Sequence, residues 1–148
     1  MLLIDSETPI ASNQQPNANT ANHAPWSHLA QRQGDGWEKP ANSADHDCHL
    51  MVQVMESWFL ADRDTLKTFF GTGFKEHKLP PANRSIETIA KSDLYRALHE
   101  ATADCKAKSP YNKANHSFKL LAAINPQKLA AASDWARRFI DELKRKMD

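Results

Sequence analysis

The sequence predicts a mixed α/β fold in which a small sheet of few strands is combined with a mostly helical C-terminal half. Two apolar segments, at residues 2–4 and 49–54, have the pattern of strands. Beyond residue 60, apolar residues recur at intervals of three and four, the period of a helix packed on one face. The chain has 148 residues, of which 41% are hydrophobic. This is the usual size of one domain with one core, so residues 1–148 are predicted to form a single domain.

The first predicted strand is the apolar run from Leu2 to Ile4, which ends at Asp5. This pattern is typical of a parallel strand that is buried on both faces and presents a polar side chain at its carboxyl end. Such a strand needs a neighbour. Residues 49–54 form a second predicted strand, because apolar side chains alternate there. Residues 58–60 either continue it or form a short helix.

Capping residues, and apolar residues at helical spacing, predict where the helices lie. A short helix is expected to open at Pro25, and a helix over 63–70 is expected between a cap at Asp62 and Gly71. Residues 71–90 are predicted to be mostly loop. Further helices are expected over about 93–104, capped by Ser92, and over 116–123.

Two more helices are predicted at the end of the sequence. Asn125 before a proline caps a short helix, and Ser133 opens the last one. There Trp135, Phe139 and Leu143, at steps of four, predict a buried face.

Residues 8–24 are predicted to form a flexible loop. They are rich in Asn, Ala and Gln with two prolines, a composition that buries too little apolar area to become ordered. We expect this segment to be the most mobile internal part of the chain.

Charge is unevenly distributed along the chain. Residues 1–48 carry a net charge of −4 and the remainder +5, within a total of +1. This asymmetry is compatible with a metal centre near the start and polyanion contacts further on, and equally with mixed charge on solvated helix faces. The basic excess is far below that of a typical nucleic-acid domain, which argues against a dedicated DNA-binding module.

Several features predict a soluble, cytoplasmic protein. The opening apolar stretch stops at Asp5 with no basic segment before it, unlike a secretory signal. No apolar run approaches the roughly 20 residues that span a bilayer. Cys48 and Cys105 are far apart in sequence and are expected to be reduced thiols rather than a disulfide.

Two groups of polar residues are candidates for a site in the first part of the chain. Asp5 and Glu7 follow the first strand and can both point at one hard cation, which predicts Mg or Mn, although such residues are also ordinary turn and cap residues. Glu56 lies within an apolar stretch and needs a cation or donors if it is buried ionised. The alternative for Glu56 is a surface position or a salt bridge.

Two further groups of polar residues could bind a ligand or a metal. Lys113 and His116 stand near a predicted helix start, where an anion such as a phosphate would be favoured; alternatively Asn115 simply caps the helix and both side chains are solvated. Residues 45–49 (Asp-His-Asp-Cys-His) contain five potential metal ligands. Adjacent ligands cannot all reach one tetrahedral ion, so a polar loop is the better interpretation.

These motifs resemble a bacterial family of unknown function that is classed as TOPRIM-like and is usually encoded beside AAA-type ATPases in defence-type loci. The resemblance covers nearly the whole chain and is most specific over residues 49–62. The other matching segments are Asp-Ser-Glu at 5–7, Pro-Trp-Ser-His-Leu at 25–29, Asp-Gly-Trp at 35–37, Phe74, Leu79-Pro80, Lys91, Tyr111, Lys113 and His-Ser-Phe at 116–118.

The chain departs from the TOPRIM pattern at one point. TOPRIM-type proteins have an acidic residue after an earlier strand, often within Val-Glu-Gly, and this tripeptide is missing here. Met1 stands just before the second acidic element, so the chain is expected to correspond to the C-terminal portion of the family's domain. Catalysis is therefore in question.

The resemblance implies a metal-dependent nuclease subunit that acts with an AAA-type ATPase, and with DNA as a candidate substrate. Asp5 and Glu7 would hold the metal, while Glu56, Lys113 and His116 would be the catalytic residues. The alternative is a non-catalytic interaction protein that binds the ATPase through its helical half and has lost the metal site.

Overall fold

A computed structural model of the protein describes residues 1–16 and 24–148. Its sheet consists of β1 (Leu2–Asp5) and β2 (Cys48–Met51), which pair in parallel with Leu2 opposite Cys48. The two segments remain hydrogen-bonded beyond the sheet, since the Glu7 amide donates to the carbonyl of Gln53 over 2.8 Å. The prediction of an α/β fold with few strands and a mostly helical C-terminal half is confirmed.

Helices are the main regular structure of the described residues. They are α1 (Pro25–Ala30), α2 (Arg63–Phe70), α3 (Lys91–Thr102), α4 (Lys113–Ala123), α5 (Pro126–Ala132) and α6 (Asp134–Met147). Short 3-10 segments lie at Ser12–Gln14, Asp45–Asp47, Met55–Ala61, Glu76–Lys78 and Ile86–Thr88.

The second strand is shorter than the sequence predicts. It ends at Met51 rather than at residue 54, and residues 55–61 form a 3-10 segment. The residues that follow the strand, 52–60, are all buried, so apolar side chains continue past its end. Burial on every side leaves no exposed face from which a sequence pattern could show where the strand ends.

Helix caps confirm most of the predicted helix starts. Asp62, Asn125 and Ser133 each accept a backbone N–H in the first turn of α2, α5 and α6. The predicted cap at Ser92 and the alternative of a cap at Asn115 are wrong. Helix α3 begins at Lys91, which places Ser92 within its first turn, and α4 is capped by Asn112, whose side chain accepts the Asn115 amide over 3.1 Å.

The buried side chains form two clusters that meet along the chain. The smaller one packs α1 against the sheet and comprises Ile10, Trp26, Leu29, Cys48, Leu50, Val52 and Trp135. The larger one joins the 55–61 segment to the helices that follow it. Consecutive residues of α6 enter different clusters, Trp135 the smaller and Ala136 the larger, so α6 connects them.

The apolar face of α6 is buried only near its start. Trp135 is fully buried, as predicted, and Phe139 is half-buried. Leu143 is 36% exposed, so its predicted place in the core is wrong. Residues 143–148, which include the last turn of α6, are all exposed.

The predicted loop over 8–24 lies partly outside the described residues, because residues 17–23 are not among them. Its described part contains the turn Ser12–Gln14, and Ile10 is buried in the smaller cluster. The mobility of this segment stays a prediction.

Among the helices of residues 1–16 and 24–148, none has both the length and the apolar character that crossing a bilayer requires.

Candidate functional site

Four of the five predicted site residues come together at the carboxyl end of the parallel strands. Asp5 is the last residue of β1, and its Oδ1 accepts the Met55 amide over 2.7 Å. Glu56 follows directly in the chain, and Lys113 at the start of α4 reaches it from the other side. Glu7 lies two residues beyond Asp5. Ligands in open α/β sheets bind at this end of the strands.

Glu56 occupies the centre of this cluster. Its side chain is fully buried. Oε1 accepts the Tyr111 hydroxyl over 2.8 Å and lies 3.4 Å from the Lys113 ammonium, while Oε2 accepts the Tyr95 hydroxyl over 3.2 Å. A buried carboxylate is tolerated only when it is paired and hydrogen-bonded, and both oxygens of Glu56 meet this condition.

Glu7 is held in an unusual backbone conformation. Its φ is +66°, in the left-handed region that costs a non-glycine residue about 1 kcal/mol. Its carboxylate forms an ion pair with Lys91, the first residue of α3. Strained non-glycine residues of this kind are concentrated at functional sites.

The electrostatics couple these groups to one another. Burial raises the pKa of Asp5, and the neighbouring Glu56 and Glu7 carboxylates act in the same direction. Burial alone would lower the pKa of Lys113, but the negative charges of Glu56 and Asp5 outweigh it and raise that pKa. The hydrogen bond to Glu7 raises the pKa of Lys91. The site therefore favours protons on its two lysines.

The fifth predicted residue, His116, lies on the other side of Tyr111. Its Nδ1 accepts the Asn112 amide over 3.0 Å, and its ring packs edge-on against Phe69 and Phe70. Burial, together with the positive charges of Lys119 and Lys108, lowers its pKa. Among the contacts of the described residues, none joins His116 to the carboxylates, and its catalytic role stays a prediction.

Three members of the cluster were not predicted as site residues. Lys91 and Tyr111 are among the residues that match the resembled family, so the sequence does contain a signal for them. Tyr95 follows Lys91 by one helical turn, which places both side chains on the same face of α3. Nothing in the sequence showed that this face would lie against the end of β1.

Two carboxylates at the end of β1 have oxygens that could serve as metal ligands. Asp5 Oδ2 and Glu7 Oε1 accept no hydrogen bond within the described part of the chain. Magnesium often binds through one or two carboxylates and keeps several waters. The described residues contain no group of three or more His, Cys, Asp and Glu side chains that could enclose a metal. Asp5 and Glu7 are therefore the residues that could hold a hydrated ion.

Residues 45–47 form a turn, in agreement with the polar-loop interpretation, while Cys48 and His49 are the first residues of β2. Asp45–Asp47 is a 3-10 turn that leads into β2. Arg138 of α6 holds this turn by donating to the Cys48 carbonyl over 2.6 Å and to the Asp45 carbonyl. Burial raises the pKa of Cys48 to about 12, so this thiol is not a reactive thiolate.

The fold and the site define a small mixed α/β protein with a cluster of carboxylates at the carboxyl end of two parallel strands. The chain belongs to the family described as domain of unknown function DUF4276, whose profile matches residues 1–144. Searches of the curated proteins and of the solved structures find no significant match.

Proposed function

We propose that this protein is a TOPRIM-like, metal-dependent nuclease subunit. The observation that carries the proposal is the convergence of Asp5, Glu7, Glu56 and Lys113, which come from three separate parts of the chain. Their meeting point is the end of a parallel sheet, where α/β enzymes carry their sites. The relation to TOPRIM proteins itself rests on the sequence resemblance.

In this proposal each residue has a distinct task. Asp5 and Glu7 would hold magnesium or manganese, which when bound would polarise the phosphate and activate a water molecule. Lys113 is 55% exposed, so its ammonium group is accessible to a phosphate oxygen. Glu56 is paired with Lys113 and accepts hydrogen bonds from two tyrosine hydroxyls. In this proposal it is a positioning residue that orients Lys113.

An AAA-type ATPase partner, in a bacterial defence-type system, is part of the same proposal. It is supported by the resemblance, since proteins of that family are usually encoded beside such ATPases. DNA is the proposed substrate.

One observation favours the alternative of a non-catalytic interaction protein. Glu7 and Glu56 are each already paired with a lysine, Lys91 and Lys113. Such pairs neutralise carboxylates that a metal would otherwise neutralise. A protein that has lost its metal would be stabilised by this arrangement, whereas a nuclease would have to separate Lys91 from Glu7 when it binds the ion.

Calorimetric titration of manganese tests the metal site. We expect weak binding to the wild type and none to Asp5→Asn/Glu7→Gln, because these variants replace the two available carboxylates with amides. Glu100→Gln, an exposed carboxylate on α3, is the matched control and should bind like the wild type. Equal binding by all three proteins would place the metal elsewhere.

A plasmid-cleavage assay with the same proteins and manganese tests catalysis. Cleavage that depends on Asp5 and Glu7 supports the nuclease. Metal binding without cleavage, by the protein alone and with its ATPase partner, would contradict the nuclease and favour the interaction protein.

A further inference from the structure

An open, polar cavity adjoins the carboxylate cluster. It has a volume of about 700 Å³ and is lined by Glu7, Thr8, Gln31, Arg32, Gln33 and Asp35. This volume falls within the range of about 300–1,000 Å³ that is usual for small-ligand sites. Glu7 belongs both to this cavity and to the carboxylate cluster, so a ligand in the cavity would lie next to the proposed metal.

Arg32 connects the cavity wall to the end of β1. Its side chain is only 11% exposed. One guanidinium nitrogen donates to the Asp5 carbonyl over 2.9 Å, and two others donate to the carboxylate of Asp35. The loop that carries Gln33 and Asp35 is thereby attached to the residue that would hold the metal.

The lining indicates the kind of ligand. A phosphate is disfavoured, because Glu7 and Asp35 are both acidic and the guanidinium of Arg32 is already engaged. An apolar ligand is disfavoured because all six lining side chains are polar. Side-chain amides such as those of Gln31 and Gln33 both donate and accept, and carboxylates accept from hydroxyl and N–H groups. This combination suits a neutral ligand with many hydrogen-bonding groups.

We propose that this cavity binds a nucleoside unit, the sugar and base next to the phosphodiester that is cleaved. Amide side chains recognise base edges in nucleic-acid complexes, and carboxylates recognise ribose hydroxyls in nucleotide sites. The choice of a nucleoside among neutral polar ligands rests on the proposed nuclease function. DNA and RNA both present base edges, whereas only RNA presents a 2′-hydroxyl within the chain.

The test measures binding without catalysis. Fluorescence anisotropy with short, labelled single-stranded DNA and RNA probes is recorded in EDTA, so that cleavage does not contribute. We expect Gln31→Ala/Gln33→Ala to bind about tenfold more weakly than the wild type, since two hydrogen bonds are lost. Gln127→Ala, an exposed glutamine on α5, should bind like the wild type. A preference for RNA would indicate that a 2′-hydroxyl is recognised.

The outcomes separate this inference from the nuclease proposal. Equal affinities of the wild type and Gln31→Ala/Gln33→Ala, or no binding of either probe, would overturn the nucleoside site. Weakened binding by Gln31→Ala/Gln33→Ala supports it, even if manganese produces no cleavage by the wild type. In that case the catalytic proposal fails while the binding site stands. Matching thermal melts of the variants and the wild type exclude unfolding as the cause.

Discussion

At the scale of single residues, Glu56 shows what burial of a charged group requires. Its carboxylate is fully buried, yet it is reached by Tyr95 from α3, Tyr111 before α4 and Lys113 within α4. Removing one partner from such a network leaves the others unsatisfied, which costs more than the net value of the bond itself. The contacts of Glu56 therefore contribute to the stability of the fold and also hold the side chains of the site in place.

Replacing Glu56 with glutamine should lower the free energy of unfolding by about 2 kcal/mol. The amide nitrogen faces a tyrosine or lysine donor, and Lys113 loses its ion pair. Tyr95→Phe, which removes one hydroxyl, should cost about 1 kcal/mol. Urea denaturation measures both values. Glu100→Gln is the surface control, and a cost for Glu56→Gln no larger than that of the control would contradict a structural role for Glu56.

Tyr111 should make stability depend on pH in the alkaline range. Burial and the hydrogen bond to Glu56 raise its pKa above the ordinary value of 10.0. The contribution of this group to stability is therefore full below about pH 10 and is lost as pH rises from there toward the folded-state pKa. Tyr111→Phe should show a shallower decline. Urea denaturation from pH 8 to 11 compares the two, and parallel curves would refute the coupling.

At the scale of secondary-structure elements, Asp62 links the starts of α2 and α5. It caps α2 through the Thr65 amide and hydroxyl, and it also accepts the Asn125 amide and the Lys128 ammonium. Burial works to raise its pKa, but these hydrogen bonds outweigh burial and lower the pKa to about 2. One carboxylate thus stabilises two helices that are far apart in sequence.

Asp62→Asn should destabilise the protein by about 2 kcal/mol near pH 7. Because the folded-state pKa is depressed, the stability from Asp62 is present above the ordinary value of 3.8 and is lost as pH falls toward about 2. The difference between wild type and variant should therefore shrink over that window. Urea denaturation at several pH values tests this, and a constant difference would be inconsistent with it.

The start of α6 should matter far more for stability than its end. Trp135 is fully buried and its Nε1 donates to Gln15, whereas Leu143 is 36% exposed. Trp135→Ala should cost about 3–5 kcal/mol, and Leu143→Ala should cost less than about 1 kcal/mol. Thermal or urea unfolding of both variants checks the contrast. Similar costs for the two would mean that the distal half of α6 is buried in solution.

At the scale of the whole molecule, the two buried clusters meet where single elements enter both. Helix α6 contributes Trp135 to one cluster and Ala136 to the other, and the segment after β2 contributes Val52 and Val54 in the same way. Loss of packing in one cluster would displace backbone that the other requires. The expected consequence is cooperative unfolding of the two clusters.

Unfolding should therefore follow a single transition. Tryptophan fluorescence reports on both clusters, since Trp26 and Trp135 belong to the smaller and Trp58 to the larger. Far-UV circular dichroism reports on the helices. We expect the two signals to give the same midpoint in urea, and two separated transitions would show that the clusters unfold independently.

The sequence by itself determined features that depend on neighbouring residues. The helix over 63–70 was predicted with its observed bounds, because Asp62 and Gly71 act within one turn of the helix ends. The caps at Asn125 and Ser133 and the burial of Trp135 were likewise predictable. Asp5, Glu7, Glu56 and Lys113 could be nominated because a polar residue after or within an apolar segment is visible in the sequence.

Only the tertiary structure decided which of these residues meet. Tyr95 joins Glu56 across 39 positions and Tyr111 across 55, and the face that α3 turns toward β1 depends on packing in the larger cluster. The same packing directs His116 toward Phe69 and Phe70 rather than toward the carboxylates. Sequence periodicity specifies which side of a helix is buried, but the element that covers it is set by the three-dimensional arrangement of the whole core.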